Sequence, residues 1–210
     1  MIGLMTKISD TSPEDLLQIR FKKALRGDQD SFWALIEPHS GLIYSVAFGI
    51  LKDPEQAQDI LHEVYIEAFK SISNLRKANR LPAWLHSLTR NLCYNIIRKS
   101  IRAEQGKVQV LRARPKVVPI DEVLIKEEEL KQLQIALGEL PESFRIILGM
   151  KYMNQKNFSH CYSCKEIAGI LDISVEAVKS RLFEARKLLA IRMSENQKQP
   201  QSLIKGGIKR

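Results

Sequence analysis

The chain of 210 residues lacks most of the features that mark secreted, membrane-spanning or disulfide-stabilised proteins. Three cysteines are an odd number and too few for a disulfide framework. No apolar run approaches the roughly 18 residues that a membrane-spanning helix requires. The N-terminus has acidic residues nearby and no apolar core of the kind that a signal peptide carries. These absences together favour a cytoplasmic protein.

Acidic side chains are also in deficit. Lys and Arg number 33 against 24 Asp and Glu, which gives a net charge of +9 and a pI near 9.5. Such a balance favours an anionic partner. No carboxylates are paired at metal-binding spacing and no nucleophile is accompanied by a base. We therefore expect no catalytic activity of the chain's own, no resident metal and no cofactor.

The apolar residues recur almost everywhere at helical spacing, so the sequence predicts an all-α protein. Two small helical domains are expected, a four-helix domain at 1–98 and a second at 121–193, joined by a basic flexible linker at 99–120 and followed by a basic tail at 194–210. Ser12-Pro13 and Asp53-Pro54 each combine a helix cap with a first-turn proline. A long apolar helix ending near Leu51 is expected to bend at Pro38 and Gly41.

The stretch 163–189 predicts two helices joined by a tight turn. Ser163 and Glu166 form a capping box at the start of the first helix, and Ser174 caps the second. Asp172 stands at the turn, where such motifs usually carry glycine. One face of the second helix is apolar and the other is basic. A short helix, a turn and a basic second helix fit the major groove of DNA.

Four segments resemble the extracytoplasmic-function (ECF) group of the sigma-70 family of bacterial RNA polymerase sigma factors. Residues 26–69 and 81–100 resemble parts of sigma region 2, and residues 137–152 and 165–189 resemble parts of region 4. The two regions follow in the family's order on either side of the basic linker. The resemblance implies a transcription initiation factor that binds the RNA polymerase core and directs promoter-specific transcription.

The resemblance also implies partners for region 2. In the family, the helix matching AQDIL binds the clamp helices of the largest polymerase subunit. Asp59, Glu63 and Glu67 would supply acidic side chains to that basic partner. The resemblance further implies contact between region 4 and the flap of the second largest subunit.

The segment from Asn74 to Arg98 resembles the part of region 2 that opens the −10 promoter element. Melted DNA requires cations for its phosphates and polar side chains for its unstacked bases. The candidates for the flipped base lie in one polar loop, and the candidates for the backbone lie along the following helix. They are Arg76, Lys77, Asn79 and Arg80 in the loop, and Arg90, Asn91, Tyr94 and Arg98 on the helix.

The basic second helix of region 4 is expected to enter the major groove of the double-stranded −35 element. Its first turn and exposed positions would meet base edges, and other cations would meet phosphates. The base-edge candidates are Ser174, Glu176, Ala177, Ser180 and Arg181, and the phosphate candidates are Lys179, Arg186 and Lys187.

About eight residues between Tyr152 and Lys165 are inserted relative to the family. They include His160, Cys161 and Cys164, a spacing that permits a zinc or redox site. We favour a surface loop, because no fourth ligand is evident and neighbouring His160 and Cys161 chelate one ion poorly.

Two other functions remain open. One is a stand-alone helix-turn-helix regulator that uses residues 1–98 to dimerise, and the acidic helix beside a melting-type segment argues against it. The other is a DNA-targeted enzyme such as a recombinase, for which no constellation of residues is present. Family members are commonly held inactive by an anti-sigma factor, so such a partner is also possible here.

Overall fold

The computed structural model describes residues 12–105, 124–152 and 161–198, and all regular secondary structure within these ranges is helical. The first half contains α1 (Pro13–Ala24), α2 (Gln29–Ile36), α3 (Ser40–Leu51), α4 (Pro54–Ser71) and α5 (Leu81–Gln105). The second half contains α6 (Leu124–Glu139), α7 (Glu142–Tyr152), α8 (Cys164–Leu171) and α9 (Val175–Lys198). The predicted all-α fold is confirmed.

Short polar side chains cap the N-termini of these helices, the predicted Ser12 and Asp53 among them. The Ser12 hydroxyl accepts the backbone N–H of Asp15, and the Asp28 carboxylate accepts that of Ser31. The Asp53 carboxylate accepts the N–H groups of Glu55 at 2.9 Å and Gln56 at 3.1 Å. These bonds satisfy donors that the first helical turn leaves free. Hydrogen bonds from the side chain and then the backbone N–H of Ser31 lower the pKa of Asp28, and the bond from the Gln56 N–H lowers that of Asp53.

The predicted bend at Pro38 is a break between two helices. A 3-10 turn at Glu37–His39 separates α2 from α3, because proline in the middle of the run cannot donate a helical hydrogen bond. The range Gln29–Leu51 is long and apolar enough to cross a membrane, but 72% of its most apolar window is buried inside the protein. This apolar stretch therefore serves as the centre of the core.

Two helices extend beyond the predicted domain limits. α5 continues through Gln105, seven residues past Arg98, and α9 continues through Lys198 into the predicted tail. Arg192 and Glu195 form an ion pair of 2.9 Å on the last turns of α9. The rest of the predicted linker (106–120) and of the tail (199–210) lies outside the described residues. The domain limits at 98 and 120 stay predictions.

α3 is the central helix of the described structure. Every residue from Ser40 to Ile50 is buried, because α4 and α5 cover one side of the helix and α7 covers the other. A helix that is apolar all round is stable only when it is covered all round. The two halves of the chain consequently share one continuous apolar cluster.

Arg145 of α7 crosses the boundary between the halves. Its Nε donates to the carbonyl oxygen of Gly49 at 2.7 Å, and its Nη1 donates to the carbonyl of Leu140. These carbonyls lie at the C-terminal ends of α3 and α6, where helical carbonyls lack partners and carry partial negative charge. Burial lowers the pKa of the guanidinium, and the negative charge of Glu142 opposes that shift.

We predict that Arg145→Met lowers the free energy of unfolding by about 2–4 kcal/mol, because it leaves buried carbonyls without a donor. Urea unfolding followed by circular dichroism measures the change. Arg20→Met, the same replacement at an exposed position of α1, should change stability by less than about 0.5 kcal/mol. Equal losses in the two variants would contradict the role assigned to Arg145.

Candidate nucleic-acid interface

The helix-turn-helix forms as the sequence predicts. Both hydrogen bonds of the capping box are present, from Glu166 N–H to the Ser163 hydroxyl at 3.2 Å and from Ser163 N–H to the Glu166 carboxylate at 2.8 Å. Asp172 ends α8 in the left-handed conformation with φ 55°, the position where glycine is usual. The Ser174 hydroxyl then accepts the N–H of Ala177 and starts α9.

α9 presents its candidate DNA contacts on the outside. Val178, Leu182 and Ala185 are buried against α7 and α8, which fixes the rotation of the helix. All eight −35 candidates lie off this stripe. Ser174, Glu176, Lys179, Ser180, Arg186 and Lys187 are exposed, and Ala177 and Arg181 are half-buried. The described helix therefore has an accessible polar and basic face of the kind that a major groove admits.

Residues 72–80 form the loop that carries the first four −10 candidates, and we call it the −10 loop. It connects α4 to α5 through two 3-10 turns. Its apolar members Ile72, Leu75 and Ala78 are buried and fasten the loop to the core. The polar members between and after them point outward as a result. Arg76, Lys77, Asn79 and Arg80 are all exposed.

Along α5 the residues that are predicted to contact the DNA backbone lie beside a buried stripe of Leu85, Thr89 and Cys93. Arg90, Asn91 and Arg98 are exposed, with the Arg90 guanidinium 5.3 Å from the centre of the Tyr94 ring. Tyr94 differs from its neighbours. It is half-buried, and its hydroxyl donates to the Glu142 carboxylate of α7 at 3.0 Å.

The acidic side chains of α4 lie outside its buried face. Asp59 and Glu63 are exposed, and Glu67 is half-buried at 3.9 Å from the Lys70 ammonium.

An exposed aromatic patch lies on α2 and α4. Trp33 is 47% exposed and packs edge-on against Tyr65 at 5.2 Å, and Phe32 packs edge-on against Phe69 at 5.0 Å. Ile66, 58% exposed, adds to the patch.

This patch was not among the sequence predictions. Trp33 and Ile66 lie off the apolar stripes of their helices and are exposed. Large apolar residues at positions that face solvent could have indicated this surface from the sequence.

The inserted segment is described only at its end, since His160 lies outside the described residues. Cys161 is exposed, and Cys164 occupies the first turn of α8, each as a free thiol. Among residues 12–105, 124–152 and 161–198, no three His, Cys, Asp or Glu side chains are grouped to hold a metal ion. Burial raises the pKa of the third thiol, Cys93, to about 12, which keeps it protonated.

Tyr162, between the two cysteines, reaches the other half of the chain. It is buried, and its hydroxyl lies 2.6 Å from Nδ1 of His39, with the two rings stacked. Burial raises the pKa of the Tyr162 hydroxyl, so it remains a neutral hydrogen-bonding group.

Both halves of the chain match known protein families. Residues 35–103 match the family described as Sigma-70 region 2, and residues 130–189 match Sigma-70, region 4. The chain is 26% identical to the ECF RNA polymerase sigma factor SigW of Bacillus subtilis over 84% of its own length and 96% of that protein. The chain belongs to the ECF group of the sigma-70 family. The match to region 2 continues past Arg98, as α5 does.

Other relatives agree with this assignment. The ECF RNA polymerase sigma-E factor of Escherichia coli K12 is 23% identical over 82% of this sigma factor and 91% of that protein. The solved structure of CnrH in complex with the cytosolic domain of CnrY has a TM-score of 0.56 at 21% identity, covering 86% of this chain and 99% of that one. The sigma factor RpoE bound to the anti-sigma factor NepR, from Bartonella quintana, also has a TM-score of 0.56, at 20% identity, covering 80% and 97%. The predicted family and all-α architecture are confirmed.

Proposed function

We propose that this sigma factor joins the RNA polymerase core through α4 and holds a promoter at two points. The −10 loop and α5 would contact the melted non-template strand, and α9 would enter the major groove of the −35 element. The observation that carries the proposal is the presence, in one chain, of two separate DNA-type surfaces and one acidic helix.

The acidic face of α4 supports the contact with core. Asp59 and Glu63 project into solvent, so they can meet a basic partner without rearrangement. The neighbouring aromatic patch, centred on Trp33, adds apolar area of the kind that forms the centre of a protein interface. Acidic side chains beside an apolar patch suit a coiled coil that presents basic and apolar residues.

We further propose that this sigma factor acts in the cytoplasm and has no catalytic activity of its own. The polymerase would supply the chemistry, and this chain would supply promoter choice. An anti-sigma factor is included among the proposed partners. The solved RpoE structure, which contains the anti-sigma factor NepR, supports that inclusion by analogy of fold.

Run-off transcription on sheared genomic DNA from the source bacterium tests this function. The transcripts are sequenced to locate their start sites. Core polymerase with this protein should start transcripts at a defined set of promoters that core alone does not use. Asp59→Lys/Glu63→Lys should reduce those transcripts at least tenfold, since charge reversal opposes a basic partner. Start sites identical with and without the protein would contradict the proposal and would favour a stand-alone regulator.

The roles within α9 are separable by substitution. Arg181→Ala should cost about 1–3 kcal/mol at the best promoter and relax sequence preference, because a base-reading arginine acts at one position. Lys187→Ala should weaken binding about equally on all promoters and reduce its salt dependence. Binding of labelled −35 duplexes and of scrambled duplexes, measured at several salt concentrations, compares the two variants. If Arg181→Ala instead weakened binding equally on all duplexes, Arg181 would contact phosphates and would not read a base.

A further inference from the structure

The surface of α9 consists of one buried stripe and a flank on either side of it. An α-helix turns by about 100° per residue, so residues that are three, four or seven apart lie on the same side. Val178, Leu182 and Ala185 have this spacing and form the buried stripe. The three proposed phosphate contacts lie together on one flank, which we call the basic flank: Lys179, Arg186 and Lys187.

The opposite flank carries proposed contacts to base edges. Ala177, Ser180 and Arg181 lie three and four residues apart, and we call the side that they share the base flank. Glu184 follows Ser180 by four residues and Arg181 by three, so it continues the base flank by one more turn. Its side chain is exposed. The base flank therefore ends in a carboxylate, which lies outside the eight −35 candidates.

No partner holds the Glu184 carboxylate within the described ranges of the chain. Arg181 and Lys187 lie one turn away on either side, and neither forms an ion pair with it there. Arg192 and Glu195 of the same helix do pair, at 2.9 Å. Glu184 is thus an exposed acceptor on a surface that otherwise suits an anionic ligand.

A carboxylate that faces DNA weakens binding unless a base offers it a hydrogen-bond donor. Phosphates repel it at every sequence alike. In the major groove, guanine presents two acceptors and thymine presents one, and adenine presents a donor beside an acceptor. Cytosine presents the donor amine at N4 and no acceptor. Cytosine is therefore the base whose edge fits a carboxylate best.

Arg181 has the opposite preference and lies one turn before Glu184. A guanidinium donates to the O6 and N7 atoms of guanine. Three residues of an α-helix rise by about 4.5 Å, and successive base pairs are about 3.4 Å apart. The two side chains consequently reach base pairs that are one or two steps apart. The base flank suits a sequence in which a guanine and a cytosine have that separation.

We infer that Glu184 is a specificity-determining residue of this sigma factor, which accepts a hydrogen bond from the N4 amine of a cytosine in the −35 element. The inference rests on the proposed entry of α9 into the major groove. The basic flank binds the backbone of any sequence, whereas the carboxylate repels guanine and thymine at one position. Replacing Glu184 should therefore reduce selectivity and leave affinity for other sequences equal or higher.

Binding of the holoenzyme to promoter libraries tests the inference. Core polymerase with this protein is mixed with copies of a promoter found by run-off transcription, each −35 base pair is randomised in turn, and the bound copies are sequenced. Wild type should enrich cytosine at least fivefold over guanine at one position. Glu184→Arg should enrich guanine at that position on the same strand, since arginine donates to guanine. Arginine and glutamate are similar helix formers, so α9 should be retained.

Glu184→Gln separates base reading from the effect of charge. Removing a carboxylate that only repels phosphates would raise binding to all four bases alike. Base reading predicts that cytosine loses its advantage over adenine, whose N6 and N7 glutamine can bind. Glu195→Gln is the matched control, because Glu195 is an exposed glutamate farther along α9. The control should leave every base preference unchanged.

The outcomes separate this inference from the proposed function. If both Glu184 variants kept the wild-type preferences while Arg181→Ala changed the preference at its own position, the inference would be overturned and α9 would still read the −35 element. A position that responds to Glu184→Arg but favours a base other than cytosine in wild type would also overturn it. A wild-type holoenzyme without preference at any −35 position would contradict both.

Discussion

The structure depends most on how α3 is covered. A helix with apolar side chains on every face requires neighbours on every side. Within region 2, α3 packs mainly against α4 and α5. α7 covers the remaining face, and Arg145 fixes it there by donating to the carbonyls at the ends of two helices. This arrangement places the charge of a buried guanidinium against helix termini, which lack donors of their own. Arg145 thereby ties region 4 to region 2.

That constraint links the fold to the proposed function. Packing α7 on α3 brings Glu142 to Tyr94 and brings α8 in front of the −10 loop, while α9 keeps its basic face in solvent. The residues that complete the core therefore also place region 4 beside one of the two proposed DNA surfaces. The inserted segment contributes through Tyr162, which bonds to His39, and its two cysteines are peripheral to that contact.

Local features of the fold were predictable from sequence because short-range chemistry decides them. The caps at Ser12, Asp53 and Ser163 form as their spacing predicts, and Asp172 adopts the left-handed turn that its short polar side chain tolerates. Most candidate DNA contacts are exposed because the buried stripes fix the rotation of α5 and α9. The contacts of Tyr94 with Glu142, of Tyr162 with His39 and of Arg145 with Gly49 were not predictable, since each joins the two halves of the chain. The all-round apolarity of α3 was the available signal that something covers it.

The central claim is that this chain opens promoters only as part of the polymerase, with both DNA surfaces engaged. Permanganate reactivity of unpaired thymines in the −10 element of a promoter found by run-off transcription measures that opening directly. The account predicts reactive thymines when core and this protein are present together, and none with either alone. Asn79→Ala/Arg80→Ala should abolish the reactivity while a −35 duplex still binds. Thymines that stay unreactive in the complete holoenzyme, or that react equally without core, would contradict the account.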